Sequence, residues 1–338
     1  MNILITGGAG FIGSQIGWRM RQLGHTVTVL DNMSYGKDDN LKVDGEWVFD
    51  RFIRDDIRSP RFLQHCDAVD AVVHLAAIAP LPDCQLNPVV AYDNNVIGTL
   101  NVLNSCRQAN VQKVIFSSTS AVYENCQNYP LTEDNLENEP NLIYSMSKRA
   151  SEMICSSYVD NYNMDIATLR FFNVYGPHQD FKRKQPPLMG YITKCLIENT
   201  EPTFFSDGHQ KRDYVYVDDI INMVELILLR NDIAGETFNV CTNTAYSVRD
   251  IYEIYQTAFG KKLSPNFNDS TKFWDKYPQL FEGQHPLSKE RLIKEVDKYS
   301  LGTYNKAKEV LGWEPQTSLE SGIQNCVEYA KNNMEPQQ

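Results

Sequence analysis

The sequence predicts an α/β fold, a doubly wound parallel-sheet domain joined to a smaller C-terminal α+β domain. Three observations carry that reading. Asn2-Ile3-Leu4-Ile5-Thr6 is a short apolar run with β-branched residues that stops at two glycines, as a buried strand does. An amphipathic helix follows, with Ile16, Met20 and Leu23 at i, i+4 and i+7 and Gly24 placed to end it. Strand-like and helix-like runs then alternate through most of the first half of the chain, the pattern of a parallel sheet with crossover helices.

Residues 26–30 form the second strand and Asp31 closes it. Strand, glycine turn, helix, strand and acid in this order make a βαβ unit of the Rossmann type. Its glycines let the backbone approach a pyrophosphate, and the exposed N–H groups at the helix N-terminus receive the negative charge. Asp31 lies 18 residues beyond Gly13, close to the roughly 20 expected for a carboxylate that binds the adenosine ribose hydroxyls. A carboxylate there repels a 2′-phosphate, so NAD is expected over NADP.

Further along, residues 47–53 read as a strand leading into Asp55-Asp56-Ile57-Arg58, and Ala71-Val72-Val73-His74-Leu75 as a buried strand ending in Ala76-Ala77. Residues 94–109 form a long helix with two apolar stripes, Val96, Leu100 and Leu103 on one and Thr99, Val102 and Cys106 on the other. Residues 144–162 behave similarly, with Met146, Ala150, Met153, Ile154, Ser157 and Tyr158. Helices apolar over so much of their circumference are covered on more than one side. Residues 113–118 and 165–171 are strands. Beyond them Pro177, Pro186 and Pro187 surround a charged loop, 179–185, and residues 194–203 lead to Phe204-Phe205. Residues 215–217 are strand-like, Asp218 caps an apolar helix to Leu229, and 237–241 returns to strand. Ser247-Val248-Arg249-Asp250 is a helix-start signature for the run to Phe259, closed by Gly260. Residues 264–290 are interrupted by prolines, and the last helices are 305–311 and 319–331, before a polar tail, 334–338.

Composition narrows the function. The 338 residues suffice for one large α/β domain or two lobes. Net charge is −11 and no basic run exceeds Lys182-Arg183-Lys184, so nucleic acid and anionic membranes are not expected partners. Eight cysteines lie scattered without a C-x-x-C pair, which reads as buried thiols in a reducing compartment, with no metal site. No apolar run approaches the roughly 18 residues of a membrane helix, and no signal peptide precedes the first strand; a cytoplasmic location is expected.

Tyr144-Ser145-Met146-Ser147-Lys148 sets a phenol and an ammonium on one face at the start of a helix. Tyrosine ionises near pH ~10, too high for a general base, but a nearby ammonium favours phenolate; lowering that pKa by about three units corresponds to about 4 kcal/mol. Ser117-Ser118-Thr119 ends a parallel strand at the carboxyl edge, where α/β folds place ligands. Taken singly, such patterns also occur as a packed tyrosine beside a solvated lysine, or as a Ser/Thr-rich turn.

Together the motifs carry a resemblance. Gly7-x-x-Gly10-x-x-Gly13, Phe116-Ser117-Ser118-Thr119-Ser120-Ala121-Val122-Tyr123, Tyr144-x-x-x-Lys148, Arg170-Phe171-Phe172-Asn173-Val174-Tyr175-Gly176-Pro177, the run Asp207 to Asp219 around Arg212-Asp213-Tyr214, and Leu311-Gly312-Trp313-Glu314-Pro315 are the residues concerned. The chain, from Met1 to about Gly322, resembles the extended short-chain dehydrogenases/reductases, within their NAD-dependent epimerase/dehydratase family and close to the UDP-galactose and UDP-N-acetylglucosamine 4-epimerases. The resemblance implies a tightly bound, recycled NAD contacted by Gly7, Gly10, Phe11, Ile12, Gly13, Asp31, Asn32, Asp56, Ile57, Leu75, Ala76, Ala77, Asn95, Ser117, Tyr144, Lys148 and Phe171. It implies a catalytic triad of Thr119, Tyr144 and Lys148. Substrate contacts are implied at Thr119, Asn173, Arg212 and Arg291, at Asp83 beside the expected sugar, and at Ser300, where relatives accepting N-acetyl sugars carry a small residue. A homodimer through helices 94–109 and 144–162 is implied as well.

Two departures bear on the reaction. Relatives that dehydrate or decarboxylate usually place an acid just after this Thr, whereas Ser120 and Ala121 stand here. Glu124 replaces an expected glycine, and Pro80, Asp83 and Cys84 are unusual beside the sugar. The expected activity is NAD-dependent C4 epimerisation of a nucleoside-diphosphate sugar, with UDP favoured as the nucleotide, through a 4-keto intermediate. A dehydratase or oxidoreductase using Asp83 or Glu124 as its acid, and a non-catalytic dinucleotide-binding regulator, stay open. The expected division is 1–171 with 210–244 for the NAD-binding domain, and 172–209 with 245–338 for the nucleotide-sugar-binding domain.

Overall fold

The computed structural model describes residues 1–43, 45–136, 138–179, 181 and 186–334. Residues 180 and 182–185 of the expected charged loop, and 335–338 of the expected polar tail, lie outside the described residues.

Seven strands, β1 (Asn2–Thr6), β2 (Thr26–Asp31), β3 (Arg51–Arg54), β4 (Ala71–His74), β5 (Lys113–Thr119), β6 (Ile166–Phe171) and β7 (Thr237–Val240), pair in parallel in the order β3-β2-β1-β4-β5-β6-β7. The inner strands are apolar and buried along their length, as a sheet covered on both faces requires; Leu4, Val72, Val114 and Phe116 are wholly inaccessible. Connection order reverses at β1, so the ligand crevice of such a sheet opens at the carboxyl ends of β1 and β4. Helix α1 (Phe11–Gln22) leaves that edge.

The chain divides into two compact units, Met1–Phe172 with Val217–Val240 and Thr303–Glu314, and Asn173–Tyr216 with Cys241–Gly302 and Pro315–Gln338. The sequence-derived boundaries differ from these at 172, 210–216, 241–244 and 303–314. Strand Lys211–Tyr216 pairs with Asn173–Tyr175 on one side and Ala245–Ser247 on the other, which draws it into the second unit. Helix Asn305–Leu311 belongs to the first, beside which the Trp313 indole donates to the Asp219 carbonyl at 2.9 Å. Within the second unit, helix Leu319–Met334 runs so close to the short strand Asn173–Tyr175 that a Cβ at Gly322 would lie 2.2 Å from the Tyr175 hydroxyl.

Several expected elements are corrected. Residues 47–53 are not one strand: Trp47 belongs to a small hairpin, Glu46–Trp47 against Lys42–Val43, and β3 begins only at Arg51. Leu23 caps α1 from outside, exposed, while Ile16 and Met20 are buried. The helix expected at 94–109 begins earlier, as Pro88–Tyr92, passes through one wide turn, Asp93–Ile97, and continues as α3 (Gly98–Gln108). Asp218 lies inside the first turn of helix Val217–Leu228 rather than capping it. Helix Leu188–Ile197 was not anticipated, although Pro186-Pro187 stands at its start.

Helix α4 (Ile143–Tyr162) meets the sheet with a polar face. Its buried face is Ser145, Ser147, Lys148, Ser151, Glu152 and Cys155, while Met153, from the apolar stripe, is exposed. The helix is held to the sheet by polar bonds. Arg170 of β6 donates from Nε and Nη2 to the two Glu152 carboxylate oxygens, both at 2.9 Å, and from Nη1 to the Tyr123 hydroxyl and the Glu133 carbonyl, both at 2.7 Å. Ser118 of β5 donates to the same carboxylate. Breaking a buried pair from one side leaves an unpaired charge, so Arg170→Met should lower unfolding stability by about 3–5 kcal/mol. Urea denaturation should also show that adding Glu152→Met recovers much of that loss.

Candidate functional site

The turn after β1 has the form a dinucleotide needs. Gly7 sits at φ +71°, and a Cβ there would lie 2.8 Å from the Ala76 backbone nitrogen; a Cβ at Gly13 would lie 2.5 Å from the Gly7 carbonyl oxygen. Gly10 is the N-cap of α1 and supplies no side-chain cap, which leaves the first N–H groups of the helix, from Phe11 and Ile12 onward, without one. A pocket beside this turn is lined by Gly7, Gly10, Asp31, Asn32, Ile57, Leu75, Ala76 and Ala77, all expected from the sequence, and by Ser34, Tyr35, Gly36, Asp55, Ile78 and Asn94, which were not. The Tyr35-Gly36 step was the available signal: a Cβ at Gly36 would meet the Asp31 carboxylate at 2.7 Å.

Asp31 receives the Ala9 and Met33 N–H groups at 3.0 and 2.8 Å, and burial pushes its carboxyl above the usual range. On the pocket wall, Asn94 Oδ1 is buried and has no hydrogen-bond partner among the described residues. An uncapped helix N-terminus, a carboxylate at the end of β2 and an orphaned acceptor are what the diphosphate, ribose hydroxyls and donor groups of a dinucleotide match, so these residues fit NAD.

Two of the expected cofactor contacts also carry bonds within the protein. Asp56 is bonded by Arg58 through Nε at 2.8 Å and Nη2 at 2.7 Å and by Asn32 Nδ2 at 2.8 Å, and the guanidinium holds its carboxyl well below the usual range. Asn95 accepts from the Ile78 N–H at 2.8 Å and donates to the Ile78 carbonyl at 3.0 Å and Ser147 Oγ at 2.9 Å, tying the loop after β4 to α4. Ser117 and Phe171 are buried at the ends of β5 and β6, with Phe171 in register with Thr119.

Thr119, Tyr144 and Lys148 come together at this edge. Thr119 ends β5 and Tyr144 opens α4. Burial pushes the Tyr144 phenol up to about 12, and the Thr119 hydroxyl acts in the opposite direction. Burial lowers Lys148 to about 8, against the pull of Glu152 one turn on; its Nζ lies 4.3 Å from the centre of the Phe116 ring. Behind it His74 bridges Thr6 Oγ1 at 2.7 Å and Thr99 Oγ1 at 3.0 Å, and burial lowers it to about 3, so it is neutral.

Both unusual carboxylates are engaged in bonds within the protein. Glu124 accepts the N–H groups of Asn141 and Leu142 at 3.2 and 3.0 Å, and Gln85 accepts that of Ile143 at 2.7 Å, so the two side chains cap α4. Asp83, in helix α2 (Leu81–Leu86), accepts the Tyr35 hydroxyl at 2.7 Å. Cys84 is buried and bonds the Ile78 carbonyl at 3.3 Å.

In the second unit, Arg212 donates from Nη2 to the Glu295 and Val296 carbonyls at the end of helix Lys289–Val296, and its buried Nε has no partner among the described residues. Ser300 is buried beside it, bridged to Arg212, and its N–H donates to the Lys211 carbonyl at 3.0 Å. Asn173 Nδ2 donates to the Asp213 carbonyl at 2.8 Å. Arg291 is exposed on helix Lys289–Val296 and is not brought to Arg212 by any recorded bond.

Comparison with known proteins gives a consistent match. The profile described as "Epimerase: NAD dependent epimerase/dehydratase family" matches residues 3–241. UDP-glucose 4-epimerase of Mycolicibacterium smegmatis is 31% identical over 98% of this chain and 99% of its own. Among solved structures, UDP-glucose 4-epimerase of Thermotoga maritima with UDP-glucose superposes at a TM-score of 0.85, 31% identical over 99% of this chain and 100% of its own. UDP-glucuronic acid 4-epimerase of Bacillus cereus, in complex with UDP-glucuronic acid and NAD, superposes at 0.81, 28% identical over 98% of this chain and 99% of its own. No helix among the described residues is long and apolar enough to cross a membrane, and no metal-binding cluster is found among them.

The lowered Lys148 fixes a pH dependence. Its folded value of about 8 lies below the ordinary 10.5, so between the two the unfolded chain binds more protons and this group's contribution to stability rises with pH. Unfolding free energies of wild type and Lys148→Met, measured at pH 7 and pH 9.5, should differ by more in favour of wild type at the higher pH.

Proposed function

This chain belongs to the NAD dependent epimerase/dehydratase family, and from that membership and the site just described we propose that it inverts the configuration at C4 of a UDP-sugar. The cofactor is NAD. The observation that carries the reading is a gathered Thr119, Tyr144 and Lys148 with no acid following Thr119 and the nearby carboxylates engaged: Ser120 and Ala121 follow Thr119, Glu124 caps α4, Asp83 is bonded to Tyr35, and Glu152 is paired with Arg170.

In this reading the glycine turn and the start of α1 hold the diphosphate of NAD, Asp31 the adenosine ribose, and Lys148 the nicotinamide ribose. When bound, NAD supplies a reversible acceptor for the hydrogen and electron pair at C4. The chain supplies the proton chemistry. Tyr144 takes the proton of the 4-hydroxyl and later returns it to the same oxygen, and Thr119 bridges the phenol and that oxygen. Because burial disfavours phenolate, Lys148 one turn along is the positive charge the chain itself provides. Arg212, through its unpaired Nε, and Asn173 are the proposed contacts of the UDP diphosphate. Ser300 is the small residue that admits an N-acetyl group.

A homodimer is part of the same proposal. Ile97 and Leu100 on the first helix and Met153 on α4 are 51%, 37% and 59% exposed, an apolar face that a second copy would cover. Sedimentation of an Ile97→Lys, Met153→Lys variant should give a monomer where wild type gives a dimer.

The activity is tested by proton NMR of the purified protein, without added NAD, on UDP-glucose, UDP-N-acetylglucosamine and UDP-glucuronate. A C4 epimer with no net reduction of NAD is expected; a dehydrated or decarboxylated product would overturn the reading. Tyr144→Phe should lower kcat by about 10²–10⁴-fold.

A further inference from the structure

We propose that Tyr35 and Asp83 form a latch across the dinucleotide pocket that slows the release of NAD. Tyr35 lies in the loop that follows β2, and Asp83 in α2, which follows β4. Strands β2 and β4 are the two neighbours of β1, whose glycine turn is the floor of the pocket. The Tyr35 hydroxyl donates to Asp83 Oδ2 at 2.7 Å. That bond completes a closed circuit of protein: glycine turn below, the Asp31–Gly36 loop on one side, Ala76–Ile78 on the other, and the phenol–carboxylate bond joining them.

The two halves of the latch differ in freedom. On the Asp83 side, Asn95 clamps both polar groups of Ile78 and the Cys84 thiol bonds the Ile78 carbonyl, so the loop after β4 and the start of α2 are pinned. On the other side, the loop is tied at its far end, where Lys37 N–H and Asn40 Nδ2 both donate to the Ala9 carbonyl at 3.0 Å. Between that anchor and Asp31 stands Tyr35, 46% exposed, its ring lining the pocket and its hydroxyl reaching Asp83. Opening therefore requires the phenol–carboxylate bond to break and the Tyr35 ring to leave the pocket wall. This assigns Asp83 to the cofactor side of the site rather than to the sugar.

The inference rests on NAD as the cofactor and not on which sugar is turned over, so it is tested without any sugar nucleotide. The NAD-loaded protein is mixed with excess alcohol dehydrogenase and ethanol, which consume NAD as it leaves, and the release rate is read from NADH absorbance. Tyr35→Phe keeps the ring and removes only the donor; release should become roughly tenfold faster, the size of one hydrogen bond to a charged acceptor. Asp83→Ala removes the acceptor but also a negative charge near a diphosphate, whose loss by itself slows release, so the double variant is needed. The two substitutions should be strongly non-additive, because each removes the same bond. An unchanged rate for Tyr35→Phe, or additive effects in the double variant, would overturn the latch.

Discussion

The pairing of Glu152 with Arg170 is the constraint on which the catalytic geometry depends. Helix α4 turns small and polar residues toward the sheet, so apolar packing alone cannot fix its height or rotation. The carboxylate of Glu152 does so by gripping β6 through both nitrogens of an arginine fork and β5 through Ser118, the residue beside Thr119. Both side chains are about 95% buried, and desolvating such a pair offsets much of its attraction. What it contributes is position. Tyr144 and Lys148 lie two turns and one turn before Glu152 on the same helix, so fixing that carboxylate fixes them against Thr119. The network is satisfied outward as well: the Tyr123 hydroxyl donates to Asn239 Oδ1 at 2.7 Å, and the Asn239 N–H donates to Glu133 Oε1 at 2.7 Å.

A rigid triad makes the remaining carboxylates decisive, because epimerisation and dehydration differ in whether a further proton can be moved on the sugar. Glu124 and Asp83 were the residues able to change the answer. Each lies near the triad in sequence or space, and each is held through one carboxylate oxygen, Oε2 of Glu124 by two N–H groups and Oδ2 of Asp83 by the Tyr35 hydroxyl. Glu124 receives two N–H groups that a helix start would otherwise leave unpaired, next to Tyr144 itself. Moving it to deliver a proton would uncap the helix that carries the base. The departure from the expected glycine is thus explained by the end of α4 and requires no extra chemistry.

Local rules were legible in the sequence, and long-range partners were not. The glycine turn, the parallel strands and the capping box at Ser247–Asp250, with Gly260 at φ +68° closing that helix, are set by residues a few positions apart, and they stand where periodicity and turn chemistry place them. Asp56, Asn95 and Arg212 also occupy expected positions, yet their side chains are committed to Arg58 and Asn32, Ile78 and Ser147, and the Glu295 carbonyl. Asn95 meets Ser147 across 52 residues and Arg212 meets Glu295 across 83, distances at which sequence spacing carries no information. That α4 turns a polar side to the sheet was not legible for the same reason, since the ion pair that holds that side inward joins Glu152 to Arg170 on a different element.

The opposed shifts of Tyr144 and Lys148 follow from the same burial. A phenol raised to about 12 resists losing its proton, and an ammonium lowered to about 8 gives up part of its charge near neutrality. Left to desolvation alone, the pair would be a poor base. Glu152 counteracts the second effect, since its carboxylate favours the charged form of Lys148, and Thr119 counteracts the first. The residue that positions the helix therefore also supports the charge its lysine needs, while the phenol is eased toward ionisation by Thr119.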